Sequence, residues 1–169
     1  MHGGEHMGGN LMVKRALLSL FLSFSFVVLI TVYPCAHDLS GVIITLERTM
    51  CFGKCPVYTL TIYGNGTVNY EGKKHVTVMG SQKASISEKK VSQLIDEFMR
   101  INYFSLQDSY VRRGMTDMPS AITSIRIGSR EKTVRHYYGD RTAPPELKQL
   151  ESRIDEIVGS ARWVKRTQG

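Results

Sequence analysis

MCFGKCPVYTLTIYGNGTVNYEG, residues 50–72, holds two cysteines four positions apart and then a run whose side chains alternate in character. Tyr58, Leu60 and Ile62 are interleaved with Val57, Thr59 and Thr61, and further on Val68 and Tyr70 with Thr67 and Asn69. Alternation with period two is the pattern of strands that bury one face. Between the two runs stands Gly64-Asn65-Gly66, and Asn-Gly supplies the positive φ that both central positions of a type I′ turn require. The stretch therefore predicts a β-hairpin that starts directly after the cysteines.

Upstream, Val42, Ile44 and Leu46 alternate with Ile43, Thr45 and Glu47, which predicts a further strand. Downstream, Ser85 and Glu88 form a capping box ahead of Val91, Leu94, Ile95, Phe98 and Met99, an apolar stripe at helical spacing. Residues 105–121 have no sustained period, and a loop of that length either serves function or hides a short element. Ile125 and Ile127, then Val134, His136 and Tyr138, flank Gly128-Ser129 as a second hairpin. Pro144-Pro145 opens a helix with the stripe Leu147, Leu150, Ile154, Ile157 and Val158. The order βββαββα predicts an α+β fold, an antiparallel sheet of about five strands with two helices packed on one face. It occupies residues 41–163 as a single domain, and residues 164–169 form a basic tail.

Residues 1–36 read as an N-terminal extension carrying an export signal or a membrane anchor. Lys14 and Arg15 precede eighteen uncharged residues, 16–33, which match the charged and apolar regions of a signal. The apolar run is about as long as the shortest spanning helix, so an uncleaved anchor competes with cleavage. Ala36 offers a small residue for a cut, whereas Pro34 fits the cleavage pattern poorly. Cys35 raises a lipoprotein reading, against which Tyr33 and Pro34 stand where small residues are expected. His2 and His6 resemble a short metal-binding tail, but Met12 heads a natural signal, so the first eleven residues read better as upstream sequence.

The formal charge is +7, and a cut after Ala36 leaves the domain basic. Its Lys and Arg are scattered and are not interleaved with aromatic residues, which argues against a nucleic-acid platform. The charge suits a solvated surface that leans on anionic membrane or cell-wall polymer.

Cys51 and Cys55 admit three chemistries. A disulfide fits an exported chain with an even pair; Gly53 lets the short loop bend, and Pro56 fixes the exit into the strand. A redox dithiol is more usually C-x-x-C at a helix N-terminus, where the dipole lowers a thiol pKa. A closed zinc site wants four ligands, and His37, His75 and His136 are not paired at ligand spacing. His136 falls in an alternating strand, where a half-buried or surface place is favoured over catalysis. Arg112, Arg113 and Asp117, in the long loop, are the candidate contacts for a ligand or partner. Asn65-Gly66-Thr67 matches a glycosylation acceptor, which its turn explains more simply. No residue stands out as catalytic, and no cofactor-binding or metal motif is present in the sequence.

Three segments, ITLERTMCFGKCPVYTLTIYGNGTVNYEG, TDMPSAITSIRI and YYGDRTAPPELKQLESRID, together resemble a family of exported bacterial domains of unknown function. The resemblance rests on a C-x-G-x-C-P-x-Y segment (Cys51, Gly53, Cys55, Pro56, Tyr58), a G-x-G-T turn (Gly64, Gly66, Thr67), a D-x-P loop (Asp117, Pro119) and a Y-x-G step (Tyr137, Gly139). The chain departs from the pattern by inserting residues 140–142 before Ala143-Pro144. The resemblance implies export and an α+β fold and supplies no catalytic residue. The expected function is thus an exported envelope or extracellular module that binds without catalysis, through the long loop and the sheet face away from the helices. An envelope protein or a glycan is the expected partner, nucleic acid is not, and the N-terminal apolar segment would touch membrane if retained. The alternative is a thiol-active protein, an oxidoreductase or metal handler, using Cys51 and Cys55.

Overall fold

A computed structural model describes residues 37–111, 114 and 117–165. Their centre is a seven-stranded sheet in the order β4-β3-β2-β1-β6-β7-β5. The strands are β1 (Ile43–Arg48), β2 (Val57–Tyr63), β3 (Thr67–Lys74), β4 (Gly80–Ser85), β5 (Ser109–Tyr110), β6 (Ser120–Ile127) and β7 (Arg130–Tyr137). Three helices complete the described fold: α1 (Glu88–Arg100), α2 (Pro145–Val158) and the single turn α3 (Ala161–Val164).

The α+β class stands, with three corrections. The sheet has seven strands rather than about five. It is mixed, because β5 runs parallel to β7 while the other neighbours are antiparallel. Among the described residues there are three α-helices rather than two. The two unforeseen strands have physical reasons for being silent in sequence. β4, GSQKAS, pairs only with β3 and lies at an edge, so its largely exposed residues show no apolar alternation. β5 is two residues long and sits inside the stretch that lacked a period.

The alternation of β1 to β3 places Val42, Ile44, Leu46, Leu60, Ile62, Val68 and Tyr70 on one face, where they join Leu94, Ile95 and Phe98 of α1 and Leu147, Leu150 and Ile154 of α2 in one core. Met99, counted in the first stripe, is exposed instead. α1 is capped by Ser87, whose side chain accepts from Lys90 N–H at 3.4 Å, and not by Ser85, which is paired with Thr67 in the β3–β4 ladder. At the β2–β3 turn Gly66 has φ +81°, and a Cβ there would run into the Ile86 carbonyl oxygen, so the turn needs glycine twice over.

The two ends of the sheet differ. One carries the β2–β3 turn, packed against Leu39 and the approach to α1. The other gathers the β1–β2 loop with its cysteines, residues 117–120 and the chain after β7. A bulge at Val57/Tyr58, where Val57 pairs with Lys74 and Tyr58 with Gly72, interrupts the register at this end, and both consecutive side chains are buried there.

Candidate functional site

At that second end, the core-facing side of the sheet stops being apolar. Arg48 closes β1 directly opposite Tyr58 of β2, and α2 faces them with Glu151 and Asp155, one helical turn apart on its buried stripe. Arg48 donates to the Asp155 carboxylate at 2.8 Å, to the Glu151 carbonyl at 3.2 Å, and to the Tyr138 hydroxyl. Tyr58 and Ser160 donate to the other oxygen of Asp155, at 2.7 and 2.5 Å. Glu151 has no exposed side-chain surface. One of its oxygens accepts from Tyr138 at 2.7 Å, the other from His136 Nδ1 at 2.8 Å, and the Arg48 guanidinium lies 3.6 Å away.

Burying charge this deeply is tolerated only when every group is paired and hydrogen-bonded. Burial is the largest influence on Arg48 and opposes its charge, but Asp155, Tyr58 and Glu151 outweigh it and hold the guanidinium above its ordinary range. Burial, then the negative charge of Asp155, push the Tyr58 phenol well above the usual tyrosine value, so it stays a donor. The cluster is a locked frame.

The frame floors a cleft of about 240 Å³ whose walls include Cys55, Pro56, Tyr58, Pro119 and Tyr138. The Cys51–Cys55 loop forms its lip. The two sulfurs lie at disulfide distance with Cα atoms 5.7 Å apart, and both residues are half-buried. The long loop is woven into this lip through its backbone: Phe52 N–H donates to the Asp117 carbonyl at 3.1 Å, Thr49 N–H to Ser120 O at 3.0 Å, and Met118 N–H to the Tyr137 hydroxyl at 3.2 Å. Large apolar side chains stand out around it, Phe52 at 92% exposure, Met50 at 63% and Met118 at 49%.

Of the residues the sequence singled out, Cys51 and Cys55 meet at this end, and Asp117 joins them through its carbonyl while its side chain faces solvent. Arg112 and Arg113 lie outside the described residues. His136 is buried on Glu151 rather than half-buried or at the surface. Arg48, Tyr138, Glu151 and Asp155 escaped sequence reading. A signal existed for Glu151 alone, a charged residue four positions after Leu147 on an otherwise apolar stripe.

The sheet face away from the helices is polar. Lys83, Asn69, Thr61, Thr45, Ser124 and Thr133 stand directly opposite one another across six strands. Two atoms on this face, Thr59 Oγ1 and Asn69 Oδ1, are shut off from solvent without a hydrogen-bond partner.

Over residues 42–158 the chain matches the family described as Domain of unknown function (DUF6438), and it belongs to that family. The matched span contains both cysteines and the Arg48, Tyr58, Tyr138, Glu151 and Asp155 frame. No curated protein matches the chain.

Proposed function

We propose that this chain is an exported binding module, directed across a membrane by residues 1–36, that contacts a protein partner through the cysteine-loop end of its sheet. The apolar rim carries the reading: Met50, Phe52 and Met118 are exposed on the two segments that border one cleft, which the Phe52–Asp117 backbone hydrogen bond joins. Large apolar side chains held out together mark contact surfaces, and methionine reshapes itself to a partner. A protein is favoured over a glycan because the large side chains that stand out at this end, Met50, Phe52 and Met118, are apolar. The floor beneath supports binding rather than chemistry, since its charged groups are engaged by one another and by phenols. Lys14, Arg15 and the apolar run 16–33 support export, and a disulfide between Cys51 and Cys55 would persist outside the cytosol.

A reporter fused after Gly169 tests delivery: export is expected, and cytoplasmic retention overturns it. A photo-crosslinking side chain at position 52 of the full chain, in cells that export it, should give a discrete protein adduct, while position 89 on the exposed side of α1 gives none. Equal yields from both positions, or none from 52, overturn the contact surface.

Cys55 lines the cleft, and this favours the thiol-active reading as the second. Alkylation of the exported protein without reductant separates the two. Unmodified cysteines support the binding module; two alkylated thiols, or one metal bound per chain, move the oxidoreductase or metal handler ahead.

A further inference from the structure

The Cys51–Cys55 ring has a second neighbour. Beside it lies a recess of about 350 Å³ lined by Lys54, His75, Val76 and Val164, the last of which also lines the cleft. Lys54 belongs to the five-residue ring itself. His75 follows β3 in left-handed backbone, φ 53°, which turns the chain out of the sheet. Lys74 precedes it and Lys165 follows Val164. Among the described residues none of these four basic side chains is held by a carboxylate, in contrast to Lys73, which pairs with Glu47 at 3.3 Å, and Lys132, which pairs with Asp108. A recess lined by an unpaired lysine and an imidazole, with two further lysines next in sequence to its lining, complements an anion.

We propose that this recess binds a phosphate group, free or within a phosphodiester polymer, with Lys54 and His75 as its principal donors. An ammonium offers three N–H donors and an imidazole at least one, and phosphate oxygens accept them as charge-assisted bonds. The ring closure contributes by fixing the backbone that carries Lys54, so less freedom is lost when the anion arrives. The site adjoins the protein contact proposed above but rests on different side chains, and either can fail alone.

The full chain is titrated by calorimetry at low ionic strength with two probes, inorganic phosphate and poly(glycerol phosphate). Saturable binding of at least one is expected. Saturation by inorganic phosphate assigns the free anion, and saturation by the polymer alone assigns the phosphodiester. Lys54→Gln and His75→Asn, the latter keeping a residue that tolerates left-handed backbone, should each weaken binding about tenfold. Lys89→Gln, on the exposed side of α1, should leave it unchanged. Cys51→Ser/Cys55→Ser should weaken it while the variant still melts cooperatively. Saturation by neither probe overturns the proposal. So does wild-type affinity in both Lys54→Gln and His75→Asn, or an equal loss in Lys89→Gln, which would mark diffuse surface charge.

Discussion

Glu151, fully enclosed on α2, holds His136 of β7 through a 2.8 Å contact between its Oε1 and the ring Nδ1. The same carboxylate takes the Tyr138 hydroxyl, and Arg48 reaches over both. Removing one member of a buried ionic group strands the others. Glu151→Ala should therefore destabilise the domain by about 4 kcal/mol, and Glu151→Gln, which keeps the shape and one acceptor, by less. Urea unfolding of the full chain measures both; a loss under about 1 kcal/mol for the alanine variant would mean that the cluster is not a frame.

Alkaline pH should loosen the fold through its phenols. Tyr58 and Tyr103 are both raised above the usual tyrosine value, first by burial. In the unfolded chain they ionise near pH 10. A raised folded value means that their contribution is complete below about pH 10 and is lost as pH climbs from there toward the folded values. The urea midpoint should be flat between about pH 8 and 9 and fall beyond about pH 10. Tyr58→Phe should make that fall shallower. An identical slope in the variant would remove Tyr58 from the account.

Much of the sheet was readable because its strands bury one face. Leu60, Ile62, Val68 and Tyr70 alternate with polar residues for that reason, and Gly64-Asn65-Gly66 marks a turn that other residues fill poorly. The second helix was equally plain, since Leu147, Leu150, Ile154, Ile157 and Val158 are all buried. β4 left no trace because its bonds are backbone to backbone and its side chains face water. The frame was hidden for a different cause. Arg48 lies 90 residues from Tyr138 and 107 from Asp155 in pairings that only tertiary packing creates, and Arg48 and Asp155 each alone resemble a surface residue.

A disulfide between Cys51 and Cys55 should be a modest stabiliser. Closing five residues restricts little of the unfolded chain, so Cys51→Ser/Cys55→Ser should cost about 2 kcal/mol and leave a folded domain. Circular dichroism melting of the variant beside the parent checks this. A variant unfolded at room temperature would make the ring part of the core framework.

Asp117 contributes its carbonyl, not its carboxylate, to the loop that holds Phe52. Asp117→Ala preserves that carbonyl and should leave the melting temperature nearly unchanged, as exposed loop substitutions generally do. A loss above about 2 kcal/mol would show the carboxylate to be structural.

The contact surface has internal probes in its methionines. Met50 and Met118 adjoin Thr49 and Pro119, which line the cleft, while Met99 is exposed on α1, and exposed methionine oxidises to a sulfoxide that mass spectrometry resolves by position. The most direct measurement compares oxidation at these three positions in the purified full chain and in intact cells that export it. Binding through the cysteine-loop end predicts that all three oxidise readily in the purified protein, and that Met50 and Met118 are selectively protected in the cells while Met99 is not. Equal oxidation of the three in both settings would contradict it.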